Sequence, residues 1–131
     1  LPDPCDAGTF EASRPDGAHR ASPDAARALE LVRSALAVRR TQIAPRQALL
    51  LTGHHTAQRV GATGLRVNWR YSDGQTLMLE LNLGAQPLHV APEPTALTAA
   101  KELFHHAWPA GTGEDVWPAW AARWSLGKAG A

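Results

Sequence analysis

Apolar residues recur at a helical spacing early in the chain. Ala25, Ala28, Leu29, Leu31, Val32, Ala35, Leu36 and Val38 cover nearly half of a helical circumference, while Arg27, Glu30, Arg33, Ser34 and Arg40 take the other half. A stripe that wide can touch more than one neighbour. Ser22-Pro23-Asp24 supplies a side-chain cap, a proline at the first helical position and an acid in the first turn. The spacing predicts one helix from about 23 to 40, with Arg39 and Arg40 in its last turn and Pro45 blocking continuation.

Further on, the period falls from 3.6 to 2. Leu65, Val67, Trp69 and Tyr71 alternate with Arg66, Asn68 and Arg70; after Ser72-Asp73-Gly74, Leu77, Leu79, Leu81 and Leu83 alternate with Met78, Glu80 and Asn82. This is a hairpin, and its register follows from geometry, because opposed residues of an antiparallel pair share a face. A two-residue Asp-Gly loop would set Arg70 against Leu77, polar against apolar. A three-residue loop, Ser72 to Gly74 with a left-handed Gly74, instead sets Trp69 against Leu77, Val67 against Leu79 and Leu65 against Leu81. The Glu80 face is then expected to point to solvent.

Shorter strands are expected at 47–51, 57–61, 87–90, 101–105 and 119–126, the last with Trp120, Ala122, Trp124 and Leu126 on one face. Gly- and Pro-containing loops separate them. The expected class is α+β, mainly β: one N-terminal helix followed by a small antiparallel β-sandwich or partly open barrel. Residues 1–45 read as a leading loop plus helix, residues 46–126 as a β domain and residues 127–131 as a frayed tail. The first 21 residues, with Leu1 and Phe10 as their only large apolar side chains, read as loop.

At 131 residues, 44% hydrophobic and 19% charged, the chain has the composition of one globular domain and is too short for a (β/α)₈ barrel. Thirteen Lys and Arg against twelve Asp and Glu leave a net charge of +1, with no basic block longer than Arg39-Arg40. That gives no electrostatic support to a nucleic-acid or anionic-membrane partner. The lone Cys5 needs no oxidising compartment, and no stretch has the apolar length of a membrane span, so a cytoplasmic location is expected. A start at Leu1 on a Pro- and Asp-rich stretch reads as a piece of a longer polypeptide or a processed product.

Candidate chemistry is thin. His54-His55 and His105-His106 are adjacent pairs; in a strand each could offer only one ligand to a site, so no metal site and no cofactor are expected. Glycosidase chemistry needs two carboxyl groups flanking one bond. Asp3, Asp6, Glu11, Asp16, Asp73, Glu80, Glu114 and Asp115 all read as solvated, so no catalytic residue is assigned. No nucleophile elbow and no phosphate loop is present. Of five tryptophans, Trp69, Trp120 and Trp124 read as core. Trp108 and Trp117, beside Pro109 and Pro118 in a Gly-rich stretch, are the candidates for exposure and for carbohydrate contact through their ring faces.

Several stretches resemble, in order, the end of the maltooligosyltrehalose trehalohydrolases of the α-amylase family. Pro2-Asp3-Pro4, Thr9-Phe10-Glu11 and Ser13-Arg14 are similar to that family's segment after the last barrel strand. Residues 35–40 with Ile43 and Pro45-Arg46 resemble its last barrel helix and the exit from it. Residues 65–70, Asp73-Gly74, Thr76-Leu77 and residues 81–84 resemble its C-terminal β-domain hairpin, and 118–126 its closing strand. Cys5 stands where the family usually has Gln, and Pro15-Asp16-Gly17 departs from its pattern. The resemblance implies a noncatalytic C-terminal β domain of a trehalose-releasing glycoside hydrolase, inactive alone, with the catalytic barrel of its parent as partner. The alternatives are an α-glucan-binding module using Trp108 and Trp117, and a free-standing protein that inherited only this domain and gained another partner. Without its barrel, the helix face is expected to promote self-association.

Overall fold

The computed structural model describes residues 3, 5–14, 17, 21–91 and 97–128. The chain forms two compact units, Leu1–Ser34 and Ala35–Ala131. Residues 92–96, in one of the expected Pro-containing loops, lie outside the described residues, as do most of the expected tail and part of the leading segment.

In the first unit the leading segment is not all loop. A short helix, α1 (Ala7–Ser13), starts where the Asp6 carboxylate accepts a hydrogen bond from Thr9 N at 3.0 Å. That cap satisfies a free amide of the first turn, and the composition of the segment masked it. The second helix, α2 (Pro23–Val38), begins as expected: Ser22 Oγ accepts from Ala25 N at 3.1 Å, Pro23 opens the helix and Asp24 pairs with Arg27. Its apolar stripe stays open, with Leu29, Val32 and Leu36 between 45% and 53% exposed. No helix among the described residues is long and apolar enough to cross a membrane.

The helix ends differently from expectation. Arg39 and Arg40 are not in the last α-turn but in a π-helical turn, Arg39–Ile43, followed by a 3₁₀ segment, Ala44–Leu49. Pro45 does not stop the helical path, because it sits in the first turn of the 3₁₀ segment, where an amide proton would have no partner. Thr41 Oγ1 donates to Ala37 O at 2.9 Å and Arg46 Nη1 to Gln42 O at 2.7 Å, so side chains take up carbonyls in this irregular stretch. Arg46 Nε also reaches Gln75 Oε1 at 3.3 Å, and Ser72 N donates to Leu49 O at 2.8 Å. These bonds strap the segment to the hairpin end.

The class is α+β, mainly β. A five-stranded antiparallel sheet has the order β1 (Leu50–Val60), β2 (Gly64–Tyr71), β3 (Gln75–Asn82), β7 (Ala121–Lys128), β5 (Thr98–His106). A second sheet pairs β4 (Leu88–His89) with β6 (Val116–Trp117). The β2–β3 register is the one derived from the sequence: Trp69 faces Leu77, Val67 faces Leu79, Leu65 faces Leu81, and Arg70 faces Thr76 rather than Leu77. Of the two short strands expected at 47–51 and 57–61, residues 47–49 belong instead to the 3₁₀ segment, while residues 50–51 and 57–60 lie in one strand, β1, whose pairing slips between Leu50 and His55 around Gly53 at φ +79°. Gly127 and Lys128 are not frayed; they pair with Thr76 and Gln75.

Inside and outside differ from the expected assignment. The polar face of the sheet is the more deeply buried one: Arg66, Thr76, Met78, Glu80, Asn82 and Ser125 are all buried, and Trp117 and Trp108 lie against Arg66 and Arg123. On the apolar face Tyr71, Leu77 and Leu126 are buried, but Leu65, Val67, Trp69, Leu79, Leu81 and Trp124 are only half-buried. Burying the polar face requires that its groups be satisfied. Asn82, fully buried, accepts from Thr63 Oγ1 and Gly84 N and donates through Nδ2 to the carbonyls of Gln86, Trp117 and Pro118. One amide thereby ties the hairpin to the segments flanking the second sheet.

The turn supplies a direct check. Gly74 has φ +79°, with open space where a Cβ would stand, so only backbone strain opposes a side chain. Gly74→Ala is expected to lower the unfolding free energy by about 1 kcal/mol in urea titration, and Gly74→Asn by less.

Candidate functional site

The two tryptophans expected to be exposed are not. Trp117 is fully buried and Trp108 is 5% exposed, and they form the centre of the core between the two sheets. The reason lies in the sheet register. Arg66, Glu80 and Arg123 stand directly opposite one another on β2, β3 and β7, so the two guanidiniums converge on one carboxylate. Arg66 donates to Glu80 Oε1 from Nε and Nη2 at 3.1 and 2.9 Å; Arg123 donates to Oε2 from Nε and Nη2 at 3.1 and 2.6 Å. The Arg66 guanidinium lies 5.2 Å from the Trp117 ring centre and that of Arg123 lies 4.4 Å from Trp108. Both indoles spend a face on a cation inside the fold, which is why neither is presented to solvent as a sugar platform.

Glu80 is therefore not the solvated acid its strand position implied. With both oxygens held by guanidiniums and only 3% of its surface exposed, it lacks the access to a substrate that a general acid needs. The other described acids are exposed and brought to no common cleft. Glu102 pairs with His105 Nδ1 at 2.6 Å at the surface of β5. Among the described residues no group of three or more His, Cys, Asp and Glu side chains is placed to hold a metal ion. Trp120 corrects another expectation: it is 60% exposed at φ +51° in the turn before β7, not on a core strand face.

The cavity of this unit opens on the opposite, apolar face. About 490 Å³ is enclosed by Ala35, Leu36, Val38 and Arg39, by Ile43, Ala44, Gln47 and Leu50, and by Trp69, Tyr71, Leu77, Phe104 and Trp124 from the sheet. Trp69 and Trp124 stack at 5.6 Å between ring centres with 11° between planes. Arg39, Gln47 and Tyr71 bring polar groups to the lining, and Trp69 and Trp124 bring indole N–H groups. The tyrosine is held in its neutral form: burial pushes its hydroxyl pKa above the ordinary value near 10, Arg46 pulls it down in part, and Asp73 adds to the rise. The sequence placed these aromatics on one face through their alternation. It gave no sign that the face would stay half open, because period sets which residues share a face and not how deeply that face is covered.

With this geometry in hand, comparison with known proteins is informative. A family profile described as "Domain of unknown function (DUF3459)" matches residues 53–127, which spans β2, β3 and β7 with both core clusters. The chain belongs to the DUF3459 family. DUF3459 is the C-terminal domain of α-amylase-family enzymes, and the chain is such a C-terminal β domain. The fold is shared with a provisionally assigned α-amylase from Salmonella typhimurium, at a TM-score of 0.75 and 24% identity. That match covers 97% of this chain and 20% of the Salmonella chain. The chain thus spans about one fifth of the length of that structural relative. No curated protein matches it significantly.

Two outcomes follow. Glu80→Gln removes the buried charge shared by the Arg66 and Arg123 guanidiniums, the first buried and the second partly so, and is expected to cost about 3 kcal/mol or more of unfolding free energy by denaturant titration, far beyond a surface change. Because the chain has a single tyrosine, phenolate absorbance in an alkaline titration reports Tyr71 alone. Its midpoint is expected above the midpoint of the urea-unfolded chain. A folded pKa raised above the unfolded value gives stability that is fully present below the unfolded pKa, near 10, and lost as pH rises through the folded one. Tyr71→Phe should remove that alkaline loss.

Proposed function

We propose that this DUF3459 chain is the noncatalytic C-terminal β domain of a glycoside hydrolase that releases trehalose from maltooligosyltrehalose, and that its task is to cap the catalytic barrel of its parent. Of the segments that resemble the trehalohydrolases, those of the β domain fall mainly on the hairpin β2–β3 and on β7, the three central strands of the large sheet. What supports a noncatalytic role is the fate of the acids. Among the described residues the one buried carboxylate, Glu80, is paired inside the fold with two arginines.

The observation that carries the capping role is the reversal of faces. A sheet that buries its charged side and leaves leucines, a valine and two tryptophans half-covered on the other is built to be covered by something apolar. An α-glucan-binding role through Trp108 and Trp117 draws no support from their positions, since both are closed off by the second sheet and their guanidinium neighbours.

The test is enzymatic. A polypeptide carrying this chain behind its catalytic barrel is expected to release trehalose from maltotriosyltrehalose, and the 131-residue chain alone to release none. Release of trehalose by the chain alone would overturn the noncatalytic assignment. Release of maltose or glucose in place of trehalose by the longer polypeptide would overturn the substrate assignment.

A further inference from the structure

We propose that the aromatic cavity between the helical wall and the large sheet binds a short stretch of neutral oligosaccharide, an α-glucan, with Tyr71 as its central hydrogen-bonding group. The site rests on the geometry, and only the choice of sugar rests on the reading proposed above.

Tyr71 carries the proposal. Its side chain is 5% exposed and lines the cavity, yet among the described residues its hydroxyl has no hydrogen-bond partner. A buried hydroxyl left unpaired is costly, and a ligand oxygen brought into the cavity supplies the missing bond. Because burial keeps the phenol protonated, it can donate as well as accept.

The rest of the lining fixes the chemistry of the ligand. Arg39 and Gln47 come from the helical wall, and Trp69, Tyr71 and Trp124 from the sheet. Guanidinium, amide, hydroxyl and indole N–H groups therefore stand on both sides of the space. Among the described residues no carboxylate lines it, so donors outnumber acceptors and a ligand with an oxygen-rich rim is favoured. A pyranose has that rim in its hydroxyl groups, and its two C–H faces pack against aromatic rings, here Phe104 and the parallel indoles of Trp69 and Trp124. A fatty or flat aromatic anion would engage Arg39 with its one charged end and leave Tyr71 and the indole N–H groups of the opposite wall unpaired. The volume of about 490 Å³ lies within the roughly 300 to 1,000 Å³ of small-molecule sites. Without a carboxyl pair the site holds sugar and does not cleave it. It also takes up only the end of the apolar face next to the hairpin turn, so Leu65, Val67, Leu79 and Leu81, farther along the same strands, remain for the barrel.

Calorimetric titration of the 131-residue chain with maltoheptaose tests the site. Saturable binding with a dissociation constant of about 1 mM or tighter is expected. Tyr71→Phe keeps the ring, removes the hydroxyl and should weaken binding at least about fivefold. Gln47→Ala, at an exposed position of the wall, should weaken it in the same direction and guards against a folding defect in the first variant. Sodium decanoate, an apolar monoanion, should bind more weakly than the sugar. Absence of saturable binding up to about 10 mM maltoheptaose, tighter binding of decanoate, or unchanged affinity in both variants would each overturn the site. Trehalose release by the longer polypeptide separates the two proposals. Sugar binding by the chain alongside release of maltose or glucose removes only the substrate assignment, whereas trehalose release without sugar binding by the chain removes only the site.

Discussion

A single carboxylate organises this fold. Glu80 sits in the middle strand of five, and its two oxygens are divided between an arginine on each neighbouring strand. Taking three ionised groups out of water is expensive, and the attraction among them compensates only with good geometry and full hydrogen bonding. The register delivers that geometry, since Arg66, Glu80 and Arg123 are directly opposed. It also dictates what lies above. Two positive charges against one negative leave cationic character at the outer ends of the row, and each end is met by an indole face. The second sheet is thus less a separate layer than a carrier that brings Trp117 to Arg66. Asn82, on the same face two residues from Glu80, fixes it there through the carbonyls of Trp117 and Pro118.

Much of the fold was legible in the sequence, and the way the rest was not is instructive. Alternation gave the hairpin, and parity gave its register, because an error of one residue would have turned every side chain over. The same alternation misassigned the faces. Arg66, Glu80 and Arg123 read as a solvent side, since each alone would pay heavily for burial; only their opposition in three strands distant in sequence makes burial tolerable. Trp108 and Trp117 were misplaced for the same reason: their cationic partners, Arg123 and Arg66, lie in other strands of the sheet, in pairs that no local pattern shows. Trp69 and Trp124 read correctly as lying on apolar strand faces, but the half-open cavity they line was not foreseeable from period alone.

The stretch from Ala35 to Leu49 joins three helical geometries in fifteen residues, from α through π to 3₁₀. A π-turn within a helix shifts the phase of the side chains after it, so residues before and after Arg39 need not follow one stripe. Leu36 and Ile43 both reach the cavity wall although they belong to different helical periods. The irregularity is paid back by specific bonds from Thr41 and Arg46 and by the strap to Gln75, which set this wall at a fixed height over the sheet. Trp69 and Trp124 owe their partial cover to that wall.

The slipped pairing along β1 has a consequence of another kind. β1 and β5 are the two edges of the large sheet, and an edge offers unpaired amides and carbonyls to any other extended chain. Neither edge is a clean template. β1 is regular only from His55 to Val60, and β5 is interrupted between Thr98 and Lys101 and again between Glu102 and Phe104. A strand from a neighbouring molecule would lose register within a few residues on either side, so these bulges guard the domain against edge-to-edge aggregation while its apolar face remains free for a chosen partner.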